Sequence, residues 1–238
     1  MGNHASTESD GRPVPPPENS TEEQQMSYWQ MIKQGYQELV NAIIRPPRCQ
    51  YEEHHLGPKE FVFCRKKFKR VDFDLINKRE YTIKCSMWEP LDRPNDVLPC
   101  VIYMHGNSSA RLEALPQLAL VLSLGATLVS FDFAGSGKSG GEYVSLGYFE
   151  KDDLDCVIEH LRNTGRTSTI ALWGRSMGAA TALLHGERDP SIAGMVLDSA
   201  FASLTKLAEE MVEKGKEHGV NVPGFVVRLA IRYTCPDR

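Results

Sequence analysis

Hydrophobic positions divide this chain into a helical start, a β-rich stretch and a region in which strands and helices alternate. Apolar side chains recur every three or four positions over residues 26–45, which predicts an amphipathic helix that ends at Pro46. Residues 71–75 and 81–85 alternate between apolar and polar side chains, and the polar residues 77–79 separate them. This stretch therefore predicts an N-terminal antiparallel hairpin.

From residue 100 onwards, short apolar runs alternate with segments of helical periodicity. The apolar runs predict strands at residues 100–104, 127–131, 169–173 and 193–197. The periodic segments predict helices at residues 111–124 and 148–162, directly after residue 178, and at residues 204–218 and 225–233. Such alternation is typical of a mostly parallel sheet with flanking helices, so the predicted fold class is α/β.

The composition fits one domain of ordinary size with a polar tail. Hydrophobic residues make up 41% of the 238 residues and charged residues 24%, and the formal net charge of −4 does not suggest a nucleic-acid-binding protein. Residues 1–25 are rich in Pro, Ser, Thr, Asn and Glu, which predicts a disordered tail. We therefore assign residues 46–238 to the α/β domain, with residues 203–238 as a lid-like helical segment.

Neither the cysteines nor the glycine-rich turn of this chain predicts a metal or a cofactor. The six cysteines are scattered without metal-like spacing, which indicates reduced thiols of a cytoplasmic protein, and Cys100 and Cys156 fall in predicted core elements. Gly135 and Gly137 lack the partners of a phosphate-binding loop or a dinucleotide fingerprint, so they predict a tight turn. Asp132 is expected to hold that turn in place.

Residues 174–178 carry the clearest chemical signal. They read Gly-Arg-Ser-Met-Gly, a G-x-S-x-G motif between a predicted buried strand and a predicted helix. This context is that of a nucleophile elbow, where a sharp turn lifts the serine hydroxyl above the edge of the sheet. Ser176 is therefore the predicted nucleophile, and the amide of Met177, at the helix N-terminus, is predicted to stabilise an oxyanion.

A second oxyanion donor is expected from the loop after the first parallel strand, where this fold places it. That loop begins with His105, and the amide of either Asn107 or Ser108 is the candidate donor. His105 is predicted to shape the loop and not to act as the base, because in this fold the base comes last in the chain.

The acid and base of a catalytic triad are not evident in this sequence. The expected chain order is Ser, acid, His, and only His185 and His218 follow Ser176. His185 lies on the helix that leaves the elbow, and His218 lies in the lid-like segment, so neither is placed as a base. Asp198 ends a predicted strand, where it could serve either as a triad acid or as a structural hydrogen-bonding residue.

Taken together, these motifs resemble the α/β-hydrolase superfamily and, more narrowly, a eukaryotic serine-aminopeptidase-like branch of plant and protist type. The resemblance extends over about residues 40 to 235 and is strongest in residues 43–48, 101–108, 143–147, 151–154, 172–179 and 189–201. It implies a serine hydrolase with Ser176 as nucleophile and with Met177 and Asn107 as the oxyanion hole. It also implies that the last strands, with the acid and the histidine, are missing from a chain truncated before them.

The N-terminus adds an expectation about the membrane. Residues 1–6 match the pattern for N-myristoylation at Gly2. A single myristoyl group binds a membrane only marginally, so a second membrane contact is expected. The apolar stripe of residues 26–45 and the basic run of residues 65–70 are candidates for a second contact. Alternatively, the stripe packs on the domain and the basic run is a solvated strand face. We expect a cytoplasmic protein, with peripheral membrane contact as the alternative.

Two classes of function follow from these observations. The first is a serine hydrolase that cleaves an ester, thioester or amide, with a small acyl compound, an acylated protein or a peptide as its substrate. The second is a non-catalytic, membrane-anchored binding or regulatory protein, since the triad acid and base are absent from this chain. An intact elbow and oxyanion loop favour the first.

Overall fold

The computed structural model describes residues 47–203 together with the single residues Gln30, Asn41, Ile44, Arg45 and Lys206. The chain divides into two units, one of residues 45–200 and the other of residues 1–44 with 201–238. In the second unit, Gln30, Asn41, Ile44 and Lys206 are helical. The predicted tail, most of the predicted helix at 26–45 and nearly all of the predicted lid-like segment lie outside the described residues.

Residues 45–200 build one mixed seven-stranded sheet with three α-helices, and two short 3₁₀ helices cover residues Glu53–Leu56 and Arg111–Ala114. The strands are β1 (Glu60–Phe63), β2 (Lys66–Ile76), β3 (Thr82–Pro90), β4 (Leu98–Met104), β5 (Thr127–Phe131), β6 (Thr167–Arg175) and β7 (Gly194–Asp198). The helices are α1 (Leu115–Ser123), α2 (Glu150–Asn163) and α3 (Met177–Gly186). All predicted strands of this unit are confirmed, and the helix predicted at 111–124 begins as a 3₁₀ turn because Pro116 favours its start there.

The order of the strands across the sheet is β1-β2-β3-β5-β4-β6-β7. The first three strands and the β3–β5 pair are antiparallel, whereas β5, β4, β6 and β7 are parallel to one another. The predicted hairpin is confirmed, with Phe73 opposite Cys85 and Ile76 opposite Thr82. The sheet is the mixed sheet of an α/β-hydrolase fold, with parallel core strands and antiparallel strands at the N-terminal side.

Two apolar clusters cover the two faces of the sheet, because side chains alternate between faces along each strand. Ile102 and Met104 of β4 face the cluster that α2 completes with Leu154 and Val157. Tyr103, between them in sequence, faces the cluster that α1 completes. The central strands β4 and β5 are largely buried on both sides, which explains why their sequences are mostly continuous apolar runs.

Two predictions about burial need correction, one for a cysteine and one for the basic run. Cys100 is buried as predicted, but Cys156 is only half-buried, because its side chain lies at the rim of α2 with its thiol 3.3 Å from the carbonyl oxygen of Ile76. In the basic run of residues 65–70, Lys66 and Lys67 are exposed, whereas Arg70 is buried and its Nε lies 3.1 Å from Asp72 Oδ1. The run is therefore mostly strand, in which Arg70 faces inward, Lys66 and Lys67 face solvent, and Lys69 is half-buried beside Glu89.

Candidate active site

Ser176 occupies the turn between β6 and α3 in a backbone conformation that serine seldom adopts. Its φ is 51° and its ψ is −109°, a strained combination for a residue with a β-carbon. The side chain is half-buried. Backbone strain of this kind persists where the surrounding structure imposes it, and it clusters at functional sites.

The two glycines of the motif leave room for this turn. A β-carbon on Gly174 would lie 2.3 Å from the carbonyl carbon and oxygen of Gly178, and one on Gly178 would lie 2.2 Å from the carbonyl oxygen of Met104. No side chain fits at either position without moving backbone. The strand, turn and helix are therefore packed as the motif predicted.

The predicted oxyanion loop, residues 105–109, lies beside the elbow because β4 and β6 are neighbouring parallel strands. Met104 pairs with Gly174, so the residues after each strand emerge side by side at the carboxyl edge of the sheet. Met177 is the first residue of α3, where main-chain amides have no acceptor within the helix. The amide of Ser108 donates to Asn107 Oδ1 at 3.0 Å. Of the two amides considered for the second donor, that of Asn107 is thus the unengaged one in the described part of the chain.

His105 is fully buried, and its hydrogen bonds define its tautomer. Its Nδ1 lies 2.7 Å from the carbonyl oxygen of Gly106, and its Nε2 accepts a 3.2 Å hydrogen bond from the amide of Phe133. Since a carbonyl only accepts and an amide only donates, Nδ1 carries the proton. Burial lowers the pKa of the imidazole, which favours this neutral form. His105 therefore shapes the loop, as predicted, and both its nitrogens are occupied.

The carbonyl that His105 holds belongs to the same peptide unit as the amide of Asn107. The carbonyl oxygen of Gly106 also accepts a hydrogen bond from the amide of Ser109 at 3.2 Å. A peptide unit is planar and trans, so a fixed C=O direction fixes the opposite N–H direction. The loop thus holds the Asn107 amide in one orientation without any contact to that amide itself.

Asp132 is fully buried at the end of β5 and holds the neighbouring glycine turn. It accepts hydrogen bonds from the amide of Arg111 at 2.7 Å, the amide of Lys138 at 2.9 Å and the hydroxyl of Tyr51 at 2.6 Å. Gly135 and Gly137, at φ 82° and 45°, form the predicted tight turn. The expectation that Asp132 holds this turn is confirmed.

Asp198 reaches the elbow through its main chain. The amide of Ser176 donates a 2.8 Å hydrogen bond to the carbonyl oxygen of Asp198, which continues the β6–β7 pairing to the nucleophile. The carboxylate of Asp198 is exposed and accepts a 2.8 Å hydrogen bond from the hydroxyl of Ser199. The structure therefore places Asp198 next to Ser176, and a role as triad acid stays a prediction.

The described histidines are engaged away from Ser176. On α3, His185 is buried, with Nδ1 2.9 Å from Asp155 Oδ1 and Nε2 3.5 Å from Asp189 Oδ2, at ion-pair distance but without hydrogen-bond geometry. Among the residues that the structure describes, no histidine forms a hydrogen bond with the Ser176 hydroxyl. His218 lies outside the described residues, so the prediction that it is not the base stays open.

One interaction at this site was not predicted from the sequence. Glu113, in the 3₁₀ turn after the oxyanion loop, accepts two hydrogen bonds from the guanidinium of Arg175, at 2.8 Å to Nε and 2.6 Å to Nη2. Arg175 precedes the nucleophile directly. The two residues are 62 positions apart, and nothing in the local pattern around Glu113 indicates the pair.

Residues 47–203 and the few other described positions contain neither a metal-binding cluster nor a membrane-spanning helix. No group of three or more His, Cys, Asp or Glu side chains is arranged to hold a metal ion in this part of the chain. Likewise, no described helix has both the length and the apolar composition that crossing a membrane requires.

Sequence comparison finds relatives of several origins. The chain is 36% identical over 118 residues to the uncharacterised protein YqkD of Bacillus subtilis, an alignment that covers 49% of this chain and 37% of that protein. It is 31% identical over 169 residues to a monoglyceride lipase homolog of Monkeypox virus, covering 69% of this chain and 57% of that protein. The chain thus spans roughly two fifths to three fifths of the length of these relatives.

Structure comparison finds two esterases with the same fold. An esterase of Pyrococcus furiosus superposes with a TM-score of 0.61 at 22% identity, covering 82% of this chain and 70% of that one. An acetyl xylan esterase of Paenibacillus superposes with a TM-score of 0.56 at 17% identity, covering 93% of this chain and 71% of that one. At these identities the likeness establishes the α/β-hydrolase fold alone.

A family pattern covers more than half of this chain. The pattern described as "Serine aminopeptidase, S33" matches residues 99–228, which run from the start of β4 through the oxyanion loop, the elbow and β7. The matched region therefore includes every residue of the site described above except Tyr51. With this match and the observed fold, the chain belongs to the serine aminopeptidase S33 family of the α/β-hydrolase superfamily.

Proposed function

We propose that this protein is a serine hydrolase that cleaves an ester, thioester or amide through an acyl-enzyme at Ser176. The observation that carries the proposal is the strained Ser176, held at φ 51° between two glycines that no other residue could replace. Esters are the first substrate class to test, because the names of the viral relative and of the structural neighbours describe a lipase homolog and esterases. The assignment to a plant and protist branch of the family remains part of the proposal.

In the proposed reaction, the Ser176 oxygen attacks the carbonyl carbon of the substrate while a general base takes the hydroxyl proton. The tetrahedral oxyanion forms between the amides of Met177 and Asn107, which are held before the substrate arrives. Collapse of this intermediate breaks the bond to the leaving group, which takes up the proton. Water then attacks the acyl-enzyme by the same steps, releasing the acid and restoring the serine. His105 is not the base, because both of its nitrogens are engaged in the loop.

The proposal extends to a triad acid and a lipidation site. Asp198 is the proposed acid if the base approaches from the β7 side, since its carboxylate is exposed beside the elbow. Gly2 is the proposed lipidation site, and a myristoylated enzyme would meet acylated substrates at a membrane surface. Gly2 lies outside the described residues, and its modification is testable by intact mass.

The experiment is covalent labelling of the full-length protein with a fluorophosphonate probe, followed by mass spectrometry of the labelled peptide. We expect the label on Ser176, and we expect hydrolysis of p-nitrophenyl esters that is abolished in Ser176→Ala. The matched control is Ser123→Ala at the exposed end of α1, which should label and hydrolyse like the unmodified protein.

Different results would overturn the proposal in different ways. Labelling of another residue, with activity retained in Ser176→Ala, would show that the elbow is not the reactive site. A folded protein that neither labels nor hydrolyses any ester, thioester or amide would favour the non-catalytic binding protein instead.

A further inference from the structure

Glu113 joins the two halves of the proposed oxyanion hole. Its carboxylate accepts hydrogen bonds from the amide of Gly106 at 3.2 Å, from the hydroxyl of Tyr103 at 2.9 Å and from the guanidinium of Arg175. Gly106 belongs to the loop that carries Asn107, and Arg175 belongs to the elbow that carries Met177. One side chain thus contacts both elements that present the donors.

Arg175 completes this connection from the side of the nucleophile. Its Nη2 lies so close to Gly106 that a β-carbon there would approach it to 2.7 Å. The pair with Glu113 is bidentate, which fixes the orientation of the guanidinium as well as its distance. The planar guanidinium therefore lies between the loop and the elbow.

Both partners carry charge at neutral pH. Burial disfavours the carboxylate of Glu113, but the hydrogen bonds from Arg175, Ser109 and Tyr103 outweigh it and lower its pKa to about 2. The hydrogen bond to Glu113 raises the pKa of the Arg175 guanidinium. Only 15% of the Glu113 side chain is exposed, so this ion pair is screened less by water than a surface pair.

We infer that Glu113 and Arg175 are positioning residues of the oxyanion hole, holding the loop of residues 105–109 at a fixed distance from the elbow. The inference rests on the proposed function. Neither residue is required to touch the substrate: Glu113 acts by orienting Gly106, and Arg175 acts by tying the elbow to Glu113. Because the negative charge develops only after the bound substrate is attacked, in the transition state and the tetrahedral intermediate, misplacing its donors lowers kcat and leaves ground-state binding largely intact.

The test compares Glu113→Gln and Arg175→Met with the unmodified full-length protein, by ester hydrolysis and by the rate of fluorophosphonate labelling of Ser176. Complete loss of one oxyanion donor costs about 10²–10³-fold in kcat, so a displaced donor should cost about 10- to 100-fold, with KM changed less than threefold. The double variant should lose little more than either single variant, since both remove the same connection. Arg175→Lys keeps the positive charge but cannot form the bidentate pair, so its kcat should lie between those of Arg175→Met and the unmodified protein.

The matched control is Arg162→Met. Arg162 is a residue of α2 and pairs with Asp189, in the loop before β7, at 2.8 Å. Its side chain is 46% exposed, close to the 43% of Arg175, but it lies away from the elbow. Removing it should leave kcat and KM unchanged. Circular dichroism and thermal unfolding of every variant show whether a loss of rate accompanies a loss of fold.

The outcomes distinguish a positioning role of the pair from a purely structural role. If the unmodified protein reacts at Ser176 but Glu113→Gln and Arg175→Met keep its kcat and lose only thermal stability, the pair is merely structural and the inference is wrong. Should Glu113→Gln fail to fold, Arg175→Met and Arg175→Lys still decide the question, since Arg175 is the more exposed partner. If the unmodified protein does not react at Ser176, the proposed function fails and the inference with it.

Discussion

The carbonyl oxygen of Met104 lies 2.2 Å from the position that a β-carbon on Gly178 would occupy. The end of β4 therefore packs directly against the first turn of α3, and this contact brings the oxyanion loop beside the nucleophile. It is a contact between backbone and backbone, so no side-chain rotation can relieve it.

Gly178→Ala should accordingly distort the elbow. Overpacking in a core usually costs about 1–3 kcal/mol, and the rigid partner here favours the upper part of that range. For a domain of this size we expect a fall in Tm of several degrees together with at least a tenfold slower labelling of Ser176. Differential scanning fluorimetry and the labelling rate measure the two effects.

Gly194→Ala is the control for this substitution. Gly194 begins β7, has an ordinary φ, and a β-carbon there meets no atom within 4 Å. This variant should keep both its Tm and its labelling rate. Equal behaviour of the two alanine variants would show that the close approach to Met104 is not what shapes the elbow.

Asp132→Ala should be among the most destabilising substitutions in residues 45–200. It would leave the amides of Arg111 and Lys138 and the hydroxyl of Tyr51 without an acceptor in a buried site. Each buried donor left without an acceptor costs about 1–3 kcal/mol, and three donors lose theirs here. Urea unfolding of the full-length protein measures the change.

The comparison for Asp132 is Asp96→Ala, in the exposed loop between β3 and β4. A substitution there should change the free energy of unfolding by less than about 0.5 kcal/mol. A small effect of Asp132→Ala, similar to that of Asp96→Ala, would contradict the role assigned to Asp132 in holding the glycine turn.

His105 should make stability depend on pH. Burial lowers the pKa of its imidazole below the ordinary value of 6.5, so the folded state binds this proton less readily than the unfolded state. The contribution of His105 to the free energy of unfolding is therefore fully present above pH 6.5. It decreases as the pH falls below 6.5, by up to about 1.4 kcal/mol per pH unit. Unfolding by urea at intervals from pH 8 to pH 5 measures this slope.

His105→Asn should be less stable at pH 8, because the loop loses a packed ring, but its stability should decline less steeply towards pH 5. His54→Gln, at an exposed position, should change the free energy of unfolding at pH 8 by less than about 0.5 kcal/mol. A slope in His105→Asn as steep as in the unmodified protein would mean that His105 is not the buried neutral group that orients the loop.

Local sequence pattern was sufficient for the strands and α-helices of residues 47–203 and for the turn chemistry there. The alternation in β2 and β3 predicted their pairing, and the apolar runs predicted the parallel strands, because burial on one or both faces leaves a direct mark on the residues of a strand. The glycines around Ser176 were equally informative, since only residues without a β-carbon allow so tight a turn.

The same reasoning failed where a side chain depends on a distant neighbour. Arg70 belongs to the basic run interpreted as either a membrane contact or a solvated strand face, and it is buried against Asp72. Cys156 falls in a predicted core element and is only half-buried. Periodicity gives the face of an element, but how deeply a particular position is buried depends on what packs above it.

By itself, the sequence determined the order of the elements in residues 47–203, the identity of Ser176 as the candidate nucleophile and the loop-shaping role of His105. Only the tertiary structure decided that Glu113 and Arg175, 62 positions apart, meet beside Gly106. The physical reason is that strand and turn propensities are properties of neighbours in the chain. The contact of Glu113 with Arg175 exists because β4 and β6, which are far apart in sequence, lie side by side in the sheet.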